Sequence, residues 1–302
     1  MACFHPVQGW QLDGGTVVFG GPSVAGGRSL LLPCGQCVGC RLEKSRQWAM
    51  RAMHEASLHA QNCAVLLTYS PEAIPPGGAL RYRDYQLFMK RLRRKVGPVR
   101  FYMCGEYGTQ NLRPHYHAIF FGYDFPDKLY IGKSPAGSEL FSSAALNRLW
   151  GFGQCSVGEA NFKSAAYIAR HNLAKVNGPL ADANYERIDM TTSEIIRVPT
   201  EFNRMSLGGR GDGGIGFRWF NKYSSDVYPV DRCVVNGREV RPPKYYDALY
   251  KRRDRVGLEE IKAQREYKSY VSETWKDNVP ERLSVRELVV KARLKYLKRD
   301  YS

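Results

Sequence analysis

The sequence has no run approaching the roughly 18 uninterrupted apolar residues that a membrane-spanning helix requires. Its start, Met1-Ala2-Cys3-Phe4-His5-Pro6, lacks the charged segment and apolar core of a secretory leader. A cytosolic protein is therefore expected, with no membrane partner. No internal repeat is visible. The composition, 43% hydrophobic and 25% charged, is that of a folded chain and not of a disordered tail. At 302 residues there is room for two domains of roughly 150 residues, or one with long additions, which excludes a disulfide-dependent miniprotein.

Acidic residues are scarce: 29 Asp and Glu against 45 Lys and Arg leave a net charge of +16. Fixed positive charge releases counterions on meeting phosphates and steers encounter from a distance, so a polyanionic partner is expected. Membrane-binding basic segments are usually amphipathic helices or tail clusters. Here the cations run from Arg41 to Arg299, which favours nucleic acid.

Cysteines number eight, and five of them (Cys3, Cys63, Cys104, Cys155 and Cys233) are scattered singly, as suits a reducing compartment. The other three lie in Cys34-Gly35-Gln36-Cys37-Val38-Gly39-Cys40. Two intervening residues let a tight turn aim two thiolates at one tetrahedral ion, so the triple reads as a structural Zn²⁺ site. Three thiolates leave one vacancy. Cys3 is the favoured fourth ligand and His5 the reserve; the alternative is three reduced thiols in a turn.

Residues 1 to 33 read as irregular structure or short hairpins. Between Arg41 and His59, Leu42, Ser45, Ala49, Ala52 and Ala56 recur at helical spacing, with Arg41, Lys44, Arg46 and Arg51 on the other side, a face that either contacts DNA or is solvated. A buried strand is expected over 63–69. A helix from Asp84, as N-cap, to Val96 follows, ending in Lys90, Arg91, Arg93, Arg94 and Lys95. Strands over 99–107 and 114–122 read as a hairpin. After an excursion rich in turn residues come a helix over 143–150, a strand over 153–160 and a helix over 163–175, closed by Asn177-Gly178-Pro179. This order predicts an α+β protein with a ferredoxin-like, split βαβ core and an antiparallel central sheet. The expected division is an N-terminal segment (1–61), a core (62–178) and a basic, helical C-terminal region (179–302).

Within the hairpin, His115 and His117 are two residues apart and share one strand face, with Glu106 near the end of the partner strand. Two nitrogens and one carboxylate suit Mg²⁺ or Mn²⁺ engaged with phosphate oxygens; the alternative is that the histidines simply fill a sheet face. A metal that polarises a phosphate needs a nucleophile, and the last helix of the core places Tyr167, His171 and Lys175 on one face. With 19 tyrosines in the chain, Tyr167 is either that nucleophile or a packing residue.

Arg113-Pro114-His115-Tyr116-His117, followed by Ala118-Ile119-Phe120-Phe121 and a later helical Tyr167, resembles the HUH endonucleases that initiate rolling-circle replication. The segments Pro33 to Arg41, Ser45-Arg46-Gln47-Trp48, Lys90-Arg91-Leu92-Arg93, Gly105-Glu106-Tyr107-Gly108, Met205-Ser206, Gly214-Ile215-Gly216 and Pro243-Lys244-Tyr245-Tyr246 are similar to replication initiation proteins of gokushovirus-type microviruses. The resemblance spans roughly residues 33 to 250. It implies a metal-dependent enzyme that nicks one strand of replicative-form DNA at the origin and stays linked to the 5′ end through a tyrosine. It further implies single-stranded and replicative-form DNA as partners, a host helicase and polymerase, and the bacterial cytoplasm. Such proteins typically carry two tyrosines four apart; here the matching positions are Tyr167 and His171. His171 then either orients Tyr167, takes its proton or is a surface residue, and Lys175 either binds phosphate or is solvated. Arg41, Arg46, Arg51, Lys90, Arg91, Arg93 and Arg94 are the candidate DNA contacts. A different class of function, a non-catalytic zinc-containing nucleic-acid-binding protein, explains the charge but not the company of Glu106, two strand histidines and a helical tyrosine.

Overall fold

The computed structural model describes residues 3–12, 14–19, 27–108, 111–135, 137–170, 181–189, 192–208, 213–235 and 237–296. The chain divides into two compact units. One is formed by both ends, Met1–Lys44 and Asp254–Leu297, and the other is centred on Ser45–Arg253.

In the first unit, β1 (Val7–Gln11) is the middle strand of a three-stranded antiparallel sheet, flanked by β2 (Val17–Val18) and β3 (Arg28–Leu32). The short hairpins expected at the N-terminus thus gather into one small sheet. Helix α1 (Val38–Ala56) then starts inside the cysteine motif.

The second unit is built on β4 (Asn62–Thr68), α2 (Tyr82–Val96), β5 (Arg100–Tyr107), β6 (Pro114–Phe121), β7 (Lys128–Lys133), β8 (Glu139–Ser143), α3 (Ala144–Trp150), β9 (Cys155–Glu159) and α4 (Phe162–Arg170). These are followed by α5 (Ala181–Tyr185), the hairpin β10 (Glu186–Ile188) and β11 (Ile195–Arg197), then β12 (Phe202–Met205) and α6 (Phe217–Val227). A second hairpin, β13 (Cys233–Val235) and β14 (Arg238–Val240), precedes α7 (Lys244–Arg253). The C-terminal part of the first unit is α8 (Arg255–Val271) and α9 (Pro280–Lys295). Among the described residues no helix is long and apolar enough to cross a membrane.

Seven strands form the central sheet in the order β12-β5-β6-β4-β9-β8-β7, every neighbouring pair antiparallel. The inner order β5-β6-β4-β9 places the second and third core strands beside the first, with the fourth on its other side, an order compatible with the ferredoxin-like arrangement. The segment between β6 and α3, read from sequence as a turn-rich excursion, is instead the hairpin β7–β8, which widens the sheet. Its short apolar stretches, Leu129-Tyr130-Ile131 and Leu140-Phe141, are strand-like only once β9 supplies an edge, through Phe141 opposite Val157.

Alternation along the strands assigns two different faces. From β6, Tyr116, Ala118 and Phe120 join Tyr69, Tyr85, Phe88 and Trp150 in an aromatic core beneath α2 and α3. From the opposite face, Ile119 and Phe121 join Ala49, Ala52 and Ala56 of α1 and Ala165, Ala166 and Ala169 of α4. Local signals fix the ends of these helices. Ser143 caps α3 by accepting from the Leu146 amide at 3.0 Å, and Gly97 and Gly151 end α2 and α3 at positive φ (85° and 76°). Asp84 is not the N-cap of α2, which starts at Tyr82; its carboxylate is buried and accepts from the Tyr69 hydroxyl at 2.8 Å, a tertiary bond that outcompetes the capping role.

Candidate active site

Strand register brings the three expected ligands together. Glu106 on β5 lies opposite His115 on β6, and the next same-face residue of β6 is His117. One carboxylate oxygen, Glu106 Oε1, lies 2.6 Å from His115 Nε2 and 2.9 Å from His117 Nε2. Glu106 is 4% exposed and His117 3%. Burial pushes both imidazoles toward the neutral form, and for His117 the neighbouring His115 adds to the effect. His115 Nδ1 sits 3.1 Å from the Arg113 carbonyl, which takes its N–H and leaves the Nε2 lone pair facing the carboxylate. Two lone-pair atoms so close are compatible only with a proton or a cation between them. The donor set of two neutral imidazoles and one carboxylate fits a divalent ion, and their ligand atoms lie within 4.8 Å of one another.

Helix α4 covers this face and carries Tyr167 to the same point. The Tyr167 hydroxyl donates to Glu106 Oε1 at 3.4 Å, and its ring stands edge-on to His117 with centroids 4.9 Å apart. The helix is held from several sides. Asn161 and Ser164 form a reciprocal cap, Ser164 N–H to Asn161 Oδ1 at 3.0 Å and Asn161 N–H to Ser164 Oγ at 2.9 Å. On either side of Tyr167, Ser45 Oγ donates to the Ala166 carbonyl at 2.9 Å and Asn203 Nδ2 to the Ile168 carbonyl at 2.8 Å. Sequence reasoning missed both clamps, because the bonds join residues 121 and 35 positions apart; the only trace was Ser45 in a resembling segment. Beside His117 a cleft is lined by Ala64, Leu66, Ser156, Gly158, Ser164 and Ile168. His171 and Lys175 lie outside the described residues.

A second cluster is assembled in the first unit. The sulfurs of Cys3, Cys34, Cys37 and Cys40 lie within 4.8 Å of one another, so Cys3 comes to the vacancy left by the motif. His5 points elsewhere and pairs with Glu287 at 2.9 Å. Amide N–H groups aim at the sulfurs: Cys34 at Cys3 (3.2 Å), Phe4 at Cys37 (3.3 Å) and Cys37 at Cys34 (3.3 Å). Burial opposes ionisation of Cys37, but the Phe4 and Cys40 amides and the neighbouring thiols overcome it and bring the group down to about 6. Burial pushes Cys3 and Cys40 up.

The basic residues separate into two kinds. Arg51 is 7% exposed, its guanidinium stacked between Trp48 and Tyr245 and its Nε donating to the Ile215 carbonyl at 3.0 Å. Arg91 grips the Leu149 and Trp150 carbonyls, Arg93 the Val99 carbonyl and Arg46 the Arg241 carbonyl. Lys90 and Arg94 are exposed, and Arg41 is half-buried.

Residues 62–175 match the model of a family of replication-associated proteins of the ORF2 type. The replication-associated protein VP4 of Bdellovibrio phage phiMH2K is 28% identical over 266 residues, 83% of this chain and 78% of that protein. The replication-associated protein ORF2 of Spiroplasma virus 4 is 28% identical over 253 residues, 78% and 73% of the two chains. The chain is related to these phage replication-associated proteins. The replication-associated protein ORF4 of Chlamydia phage 1 is 31% identical over 240 residues, 74% of this chain and 59% of that protein. No solved structure matches. The family match contains Glu106, His115, His117, Tyr167, His171 and Lys175, whereas the four clustered cysteines lie outside it.

Proposed function

We propose that this protein is a phage replication initiator, an HUH-type nickase with a ferredoxin-like core, which cuts one strand of double-stranded replicative-form DNA at the origin. The reading rests above all on one observation: the Tyr167 hydroxyl meets the oxygen on which Glu106, His115 and His117 converge. A hydroxyl nucleophile beside a cation site, on a chain of net charge +16, matches phosphodiester chemistry. The phage proteins to which the chain is related are named for replication.

When bound by Glu106, His115 and His117, Mg²⁺ or Mn²⁺ would polarise the scissile phosphate and offset the charge that develops on it. The chain's own residues do the rest. The Tyr167 oxygen bonds to phosphorus as the bond to the 3′ oxygen breaks. The phenolic proton is balanced by the one gained by the departing 3′ hydroxyl, and the 5′ side stays as a phosphotyrosine ester. Ser45 and Asn203, by holding the carbonyls that flank Tyr167, keep the attacking oxygen in line. The free 3′ hydroxyl then primes synthesis by host enzymes in the bacterial cytoplasm. His171 and Lys175, one and two helical turns beyond Tyr167, are assigned to orienting the phenol and to phosphate contact. Exposed Lys90 and Arg94 are the DNA contacts favoured over the buried Arg51. Incubation with supercoiled viral DNA and Mn²⁺ tests the reading: a nicked circle carrying covalently bound protein is expected, and intact supercoils retained in a stable complex would instead identify a non-catalytic binder.

A further inference from the structure

The N-terminal sheet poses a physical problem that its own residues do not solve. It has three strands of five, two and five residues. Of these positions only Gly9 is buried, while Val7 and Leu31 are exposed at 44% and 55%. A sheet this small with no apolar layer is not independently stable in water.

The four clustered cysteines lie at its base. Cys3 precedes β1, and Cys34, Cys37 and Cys40 follow β3, so a bond between the two groups closes the loop that contains all three strands. All four thiols are unpaired with one another as disulfides. Their sulfurs converge within 4.8 Å, and three backbone amides point at them, the environment that stabilises thiolate charge. Four sulfur donors and no oxygen or nitrogen donor is the set of a closed, structural tetrahedral site.

We propose that Cys3, Cys34, Cys37 and Cys40 hold one tetrahedral metal ion of the zinc class, and that this ion is the core of the N-terminal sheet: β1, β2 and β3 fold only with the metal bound. Binding energy at such a site is folding energy, because the ligands converge only in the folded chain. His5 is not a ligand; its pairing with Glu287 on α9 ties the metal-closed loop to the C-terminal helices of the same unit. The inference is independent of the nicking reading, since neither the ligands nor the readouts below belong to that site.

The test uses the full chain with His115→Ala and His117→Ala, which leaves the cysteines as the strong site. Elemental analysis should find one zinc per chain. Replacement by Co²⁺ should give the thiolate charge-transfer and visible bands of a tetrahedral, all-sulfur site. Hydrogen exchange should show β1 and β3 protected with metal and unprotected after its removal, with β4 and β6 unchanged. Cys3→Ser should lose the all-sulfur spectrum and the protection, whereas His5→Ala should keep the metal. Four freely titrating thiols without zinc, a spectrum with nitrogen donors that disappears in His5→Ala, or protection of β1 and β3 that survives metal removal would each overturn the proposal.

Discussion

The two faces of the central sheet are drawn from the same strands yet are built to opposite ends. Beneath α2 and α3, alternate residues are large aromatics: Tyr69, Tyr85, Phe88, Tyr116, Phe120 and Trp150, all nearly inaccessible. Trp150 alone stands edge-on to Tyr69, Phe88, Tyr116 and Phe152. Beneath α1 and α4 the helices present alanine, which lets them lie close to the strands, and the polar residues of the site fill the end of that face. One face is a store of stability. The other trades apolar area for a buried carboxylate, two imidazoles and a phenol, groups whose burial is costly unless each has a partner. The lesson is that a period of two lets one strand, β6, serve both ends: Tyr116 packs while His115 and His117 ligate.

That contrast can be broken by substitution. On the site face, His117→Ala should reduce nicking by on the order of a thousandfold, since a Lewis acid contributes several kcal/mol at about 1.36 kcal/mol per decade. DNA affinity, read by filter binding, should stay near that of the parent; a comparable loss of both would mean that His117 organises the fold and not the chemistry. On the aromatic face, Trp150→Ala should cost about 3–5 kcal/mol in denaturant unfolding. The specific activity of its folded fraction should be preserved, and a variant that is stable yet inactive would erase the division between faces.

Acid should attack the site side first. His54 on α1 lies against Trp219 and Tyr246, and burial brings it down to about 4. Unfolded, the same imidazole takes up a proton near 6.5. Between those values the unfolded chain holds the extra proton, so stability is complete above about pH 6.5 and falls as pH drops toward 4. Thermal melts across that range should show the decline, and His54→Phe should flatten part of it; an identical acid limb in the variant would place the cause elsewhere. The smallest effects belong to the clamps. Ser45→Ala and Asn203→Ala should each slow nicking several-fold without changing the metal dependence, a loss of orientation at a site that is still loaded. A shifted metal requirement in either variant would show that the clamp acts on the ligands.

Much of this was legible in one dimension. The pair His115 and His117 needs only the strand period, and the hairpin turn returns Glu106 to them. The cysteine spacing and the position of Cys3 are likewise local facts. The roles of the arginines were not legible: Arg46, Arg51, Arg91 and Arg93 read as a phosphate-binding surface, but each grips a backbone carbonyl that only the tertiary fold brings near. Long guanidinium side chains serve both purposes, and sequence does not distinguish them. The β7–β8 hairpin was hidden because its turn residues outweigh two short apolar stretches, and Asp84 because a buried phenol claims its carboxylate.

The central claim is that Tyr167 is the nucleophile beside the Glu106, His115 and His117 site. Peptide mapping of the covalent adduct formed with origin DNA and Mn²⁺ tests it most directly. The account predicts a nucleotide mass on the peptide containing Tyr167 and no adduct from Tyr167→Phe. A nucleotide on any other tyrosine, or an undiminished adduct in that variant, would contradict it.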